Sequence, residues 1–328
     1  MKLHRRNVLA LAAAAALPAL PRTAAAQTYP TRPITMIVPF AAGGPTDVIG
    51  RLMAEHMGRT LGQNVVVEDV TGAAGTIGVG RAARAPADGY TLSLGHWSTH
   101  VVNGAFYALP YDLERDFVPI ALLPSNPMMI VSNNKVPVKN LYDFVLWIKF
   151  SSRHITCGTA GVGSSSHIAA AYFEKQAELA LQMVPYRGTD PALLDLLAGR
   201  IDMMFDQVSE AMTRLRDGSI RAYAVTAAAR SPVAPDVPTV DEAGLPGLYI
   251  NIWYGLWAPK ATPPDVIAKL NNAAKAAMAD PTVQKRFADL GLQVPPPEQQ
   301  TPEALGALQA AEIKKWWPII KAAGIKAE

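Results

Sequence analysis

The feature that most constrains this chain is a repeated passage from a short apolar run, through a glycine-bearing turn, into an amphipathic stretch. Ile34-Thr35-Met36-Ile37-Val38 reads as a strand, residues 39–47 as a glycine-rich turn, and residues 48–61 as a helix. Val48, Leu52, Met53 and Met57 lie along one face of that helix. Residues 65–67 form the next strand, 72–80 a second glycine-rich turn and 90–94 a third strand. The pattern restarts after Pro124 and Pro127. Strands are predicted at 128–131, 154–157, up to Met183-Val184 and at 201–205, with helices over 141–150, 167–174 and 191–197. Asp190-Pro191 is an N-cap followed by a proline in the first turn, and Gly199 is a stop. Such alternation predicts an α/β chain whose mostly parallel sheets are covered on both faces.

The tail has another character. Pro235, Pro238, Gly244, Pro246 and Gly247 punctuate a loop, residues 250–258 form a Trp- and Tyr-rich strand, and helices are expected over 265–279, 281–290 and 302–320. These helices cannot enclose a core alone, so they must return to the first set of strands. The chain then passes between two lobes twice, near 124–128 and near 226–230, and two passages make a hinge with a cleft between the lobes. The boundaries that follow are 27–126 with 229–328 for the first lobe and 127–228 for the second.

Residues 1–26 are set aside as an export leader. Lys2, Arg5 and Arg6 start it, an almost wholly apolar stretch runs from Val8 to Leu20, and Ala24-Ala25-Ala26 offers small residues for cleavage before Gln27. The apolar stretch is shorter than the roughly 18–20 residues of a membrane span. The paired arginines fit twin-arginine export, but no lysine follows them, and the route stays open. Removing the leader takes four basic and no acidic residues, so 30 basic groups become 26 against 27 acidic ones and the net charge of +3 becomes about −1. Nothing in the remaining chain forms a basic field for nucleic acid. Cys157 is the single cysteine, so no intrachain disulfide exists, and its place in a strand reads as a small buried hydrophobe. No cofactor motif is found and no metal site is expected. His96, His100 and His154 lack a compact carboxylate pattern, and Gly75-Thr76-Ile77-Gly78-Val79-Gly80 departs from the dinucleotide spacing.

The candidate binding residues sit at strand-to-helix turns. In Pro39-Phe40-Ala41-Ala42-Gly43-Gly44-Pro45-Thr46-Asp47, consecutive glycines let backbone N–H groups converge, and the following helix start adds unpaired donors. This is either an anion-binding nest or an ordinary capped connection. Thr46 offers a hydroxyl, and Asp47 caps the helix or orients the loop. Gly158-Thr159-Ala160-Gly161-Val162-Gly163-Ser164-Ser165-Ser166-His167 is the matching turn of the second lobe, with His167 lining the cleft or packed. Two such turns facing each other would bridge a dicarboxylate and favour closure. Arg187, in Tyr186-Arg187-Gly188-Thr189-Asp190, is either a bidentate carboxylate donor or a surface arginine. Asp206 ends a strand, where it accepts a ligand hydroxyl or ammonium or stiffens its loop. Trp97 and Ser98 leave the third strand; the indole either stacks on a flat ligand or fills the core. A serine hydrolase using Ser166, His167 and Asp206 is the enzymatic rival, but adjacent Ser and His at a helix start point apart and no GxSxG elbow exists.

At these same loops the chain resembles the substrate-binding receptors of tripartite tricarboxylate transporters, the Bug receptors. The resemblance runs from Tyr29 to about Gly324. It is carried by residues 39–47 and 72–78, Pro86-Ala87-Asp88-Gly89-Tyr90-Thr91-Leu92, Asp116-Phe117, residues 161–167, Val184-Pro185-Tyr186-Arg187-Gly188, Pro238-Thr239-Val240, Trp253-Tyr254-Gly255, and Glu312 with Trp316. The resemblance implies a periplasmic-binding-protein fold with two hinge crossovers, a non-catalytic role and a small carboxylate as ligand. In that reading the ligand is held by residues 40–47 and covered by 159–164. Two integral membrane subunits are the implied partners, although a sensory receptor presenting ligand to a membrane kinase would bind in the same way. Val162 stands where the family often has Asn, His96-Trp97 is an unusual pair, and Glu68-Asp69-Val70-Thr71 replaces the usual Asn-Arg-Pro. Trp97 and Val162 tilt the expected ligand toward a flat dicarboxylate such as terephthalate.

Overall fold

The computed structural model describes residues 29–322, so the expected leader over 1–26 lies outside the described residues. Its strands are β1 (Ile34–Val38), β2 (Val65–Asp69), β3 (Thr91–His96), β4 (Phe117–Asn133), β5 (Thr156–Thr159), β6 (Gln182–Pro185), β7 (Met203–Gln207), β8 (Ile220–Val225) and β9 (Asn251–Pro259). The helices are α1 (Pro45–Leu61), α2 (Thr76–Ala83), α3 (Asn103–Phe106), α4 (Leu141–Lys149), α5 (Ser165–Ala177), α6 (Thr189–Ala198), α7 (Val208–Arg216), α8 (Pro264–Ala279), α9 (Pro281–Asp289) and α10 (Pro302–Ala322). The strands join in the order β2-β1-β3-β9-β4-β7-β5-β6, with β8 on the free side of β4.

The outer pairs follow the expected parallel pattern: β1 with β2 and β3, and β5 with β6 and β7. The centre does not. β9 is antiparallel to both β3 and β4, and β4 is antiparallel to β7 and β8. The sheet is therefore mixed rather than mostly parallel. Buried strands of either direction read as similar apolar runs, so direction had no local signature.

Pro124 and Pro127 do not interrupt the chain as the sequence reading expects; both lie inside β4, with Pro119. Along Phe117–Pro127 the only strand paired with it is β9, apart from an isolated bridge between Ser125 and Gln293, and its register slips between Pro119 and Ala121 and again between Leu122 and Ser125. Prolines are tolerated at such bulged stretches because the missing N–H has no ladder bond to lose. From Met128 onward the same strand becomes central, flanked by β7 and β8. One unbroken strand thus serves both halves of the sheet. The later passage runs from β8 to β9, and buried Thr226 ties it to β4: its Oγ1 accepts Met128 N–H at 3.0 Å and donates to Ile250 O at 2.7 Å.

Helix α1 starts three residues earlier than expected because Pro45 occupies its first turn, where a missing N–H costs nothing, and it ends on left-handed Gly62. Helix α10 lies over β4 and the π-helical segment Ser98–Val102 that follows β3. There Trp257 Nε1 donates to Gln309 at 3.1 Å, and Gln309 Nε2 donates to His100 O at 2.9 Å. The tail helices return to the first set of strands, burying Leu270, Leu305 and Trp316 in its core.

Candidate functional site

The turn after β1 leads into a helix start that no side chain caps. Gly44 is the N-cap and Pro45 carries no N–H, so the first-turn donors at Thr46 and Asp47 are left for another acceptor. Asp47 does not face outward. Its buried carboxylate accepts Gly43 N–H at 2.8 Å and Arg51 Nε at 2.9 Å, and Arg51 reaches on to Asp69 at 2.8 Å. Asp47 therefore orients the loop and is neutralised there by its own helix. Ala41, Ala42 and Gly43 are exposed. Phe40 stacks on His96 at 4.8 Å, and burial pushes the His96 pKa down to about 3, so this ring stays neutral. Ser98 is buried beside it, its N–H donating to His96 Nδ1 at 3.1 Å.

The turn after β5 is built differently. Ser164 caps α5 by accepting His167 N–H at 3.3 Å, and Ser166 Oγ accepts Ala160 N–H at 2.9 Å. Gly163 N–H donates to His167 Nδ1 at 2.9 Å, and Ser164 N–H to Gly161 O at 3.1 Å. Thr159 is buried at the end of β5. This second turn is largely self-satisfied, whereas the first is open.

The two halves of the molecule meet at the second turn. Tyr107 Oη, just past α3, donates to Val162 O at 2.9 Å, and Phe106 lies edge-on to His167 at 6.1 Å. A Cβ on Gly163 would stand 3.1–3.2 Å from both aromatic rings, and its φ of +79° already favours glycine. The sequence reading missed Phe106 and Tyr107; only their position as an aromatic pair closing a helical segment marks them.

Behind the loops runs a buried polar chain. Tyr254 Oη donates to Gln207 Oε1 at 2.7 Å, and Asn126 Nδ2 donates to the same oxygen at 3.2 Å and to Ser209 Oγ at 2.6 Å. The Tyr254 hydroxyl also meets Thr46. Asp206, buried at the end of β7, faces Glu210 in the first turn of α7. Burial raises both carboxyl pKa values, and repulsion from Asp206 and Asp190 raises Glu210 further. Asp206 Oδ2 and Glu210 Oε2 are buried with no donor among the described residues. A proton on one of the two carboxyls would supply the missing donor. Glu210 and Ser209 share a cavity of about 120 Å³ with Gly43 and Pro45, so the acid pair stands near the open first turn. Glu210 had no motif to announce it.

Two sequence candidates stand apart. Arg187 is exposed and makes no ion pair among the described residues. Trp97 is buried and packs edge-on against Trp316 of α10 at 4.9 Å. The hydrolase arrangement is not assembled: His167 Nδ1 takes the Gly163 N–H, and among the described residues no hydrogen bond joins the Ser166 and His167 side chains. Cys157 is buried, and burial pushes its thiol pKa up, which suits a core residue.

A mixed sheet in two halves, with an open helix start on one and a self-capped turn on the other, is an arrangement that can hold an anion. The sequence profile of the tripartite tricarboxylate transporter family receptor matches residues 49–325, and the chain belongs to this family. Three solved structures superpose at a TM-score of 0.85. The periplasmic binding protein BugD is 40% identical, covering 92% of this chain and 100% of its own. MatC from Rhodopseudomonas palustris, solved with malate, is 40% identical over 89% and 100%. Rpa4515 of R. palustris, solved with adipate, is 31% identical over 91% and 99%.

Proposed function

We propose that this protein is an exported periplasmic receptor that captures a small organic carboxylate between its two halves and delivers it to the membrane subunits of a tripartite transporter. Residues 27–126 with 229–328 and residues 127–228 act as the two closing bodies. The observation that carries the reading is the uncapped start of α1, whose free N–H groups and dipole favour an anion beside the second half. One carboxylate sits on residues 40–47, and residues 159–164 close over the ligand. The relatives solved with malate and adipate support a dicarboxylate. A flat acid such as terephthalate is the finer reading, resting on Val162 alone, because Trp97 packs against Trp316 away from the loops. Calorimetric titration of the exported form with malate, adipate, terephthalate and the diamide of malate tests it. The expected result is one dicarboxylate bound per chain with no response to the diamide. An equal response to the neutral diamide would remove the anion-binding premise.

A further inference from the structure

The hinge strands have a second face, turned from the loops toward α10, and a cavity of about 420 Å³ opens there. Trp97, Trp253, Trp316 and Tyr249 supply aromatic walls, with Ser125 of β4 and Asn251 of β9 at the strand side. The Nε1 atoms of Trp97 and Trp253 are buried and have no acceptor among the described residues. An indole N–H is a donor only, and a buried unpaired donor costs about 1–3 kcal/mol, so the matching group is an acceptor. The cavity also carries one cation and one anion from α10. Lys315 Nζ stands 5.0 Å over the Trp316 ring, and Glu312 accepts Trp316 Nε1 at 3.0 Å.

We propose that this cavity is a second binding site, for a small planar aromatic monocarboxylate. Aromatic walls take the ring. Lys315 and the unpaired indole donors take a single carboxylate, and Glu312 disfavours a second negative charge. The site therefore discriminates in the opposite direction to the dicarboxylate cleft. It does not depend on the cleft reading, because its donors and its cation lie on separate residues.

Indole ¹⁵N–¹H spectra recorded during titration with benzoate test the proposal, with Trp97→Phe and Trp253→Phe used for assignment. The expected result is a saturable shift of the Trp97 and Trp253 signals that persists in saturating malate. Terephthalate should act about tenfold more weakly, and so should benzoate on Lys315→Met, a change at an exposed side chain; tenfold corresponds to one charge-assisted contact. Malate titrations of Lys315→Met should match the unaltered protein. Unmoved Trp97 and Trp253 signals, an equal response to benzamide, or an unchanged benzoate response in Lys315→Met would each overturn the proposal. Failure of malate to bind would instead strike the cleft reading and leave the indole result interpretable.

Discussion

The two faces of the β4–β9 ribbon do opposite things with similar residues. On one face Tyr254 sends its hydroxyl into a hydrogen-bonded chain through Gln207 and Asn126 to Ser209. On the other, Trp253 and Trp257 pack beneath α10, and Trp253 leaves its N–H unpaired. Neighbouring aromatics on one strand point to opposite sides because side chains alternate along it. The loop-facing side is organised around polar connections between the halves. The α10 side is organised around close packing, and Gly255 shows this, since a Cβ there would lie 2.7 Å from the Trp257 ring and 2.9 Å from Leu305.

If the faces are independent, damage to one should not reach the other. Trp316→Ala should lower unfolding free energy in urea by about 3–5 kcal/mol, because it empties a buried contact with Trp97 and Tyr172. Dicarboxylate affinity measured under native conditions should change less than about threefold; a larger loss would show that the faces are coupled. Gly255→Ala should cost about 1–3 kcal/mol by overpacking, again read in urea, with ligand stoichiometry kept.

On the loop-facing side the acid pair sets a pH dependence. Asp206 and Glu210 have folded values raised above the ordinary carboxylate range. Their contribution to stability is therefore fully present below about pH 4 and is lost as pH rises through the raised values. Asp206→Asn should flatten that fall in urea midpoints as pH rises from about 4 through about 6, while Trp316→Ala should leave its shape unchanged; a steeper fall in Asp206→Asn would contradict the raised carboxyl. Tyr107→Phe should have the smallest effect. Losing its bond to Val162 O should weaken dicarboxylate binding by about two- to tenfold with little change in urea midpoint.

Much of the first half was readable because its signals are local. The run Ile34–Val38, the glycines at 43 and 44 and the Pro45 start lie within a dozen residues, and each restricts the backbone directly. Strand β4 was misread because Pro124 and Pro127 are breakers by local rule, and only a bulged pairing with β9 makes them harmless. Strand β8 went unread among the polar residues around it. Glu210 and Tyr107 carry no motif; they matter through what faces them across the halves.

The sequence by itself determined where the turns, caps and helix starts fall, because φ restriction at Gly and Pro and apolar periodicity act over a few residues. It also determined family membership, through many short matches in order. Only the tertiary structure decided that the sheet centre is antiparallel, that Trp97 turns toward α10, and that Asp206 meets Glu210. Those outcomes depend on pairing and desolvation between residues distant in sequence, and no local pattern records them.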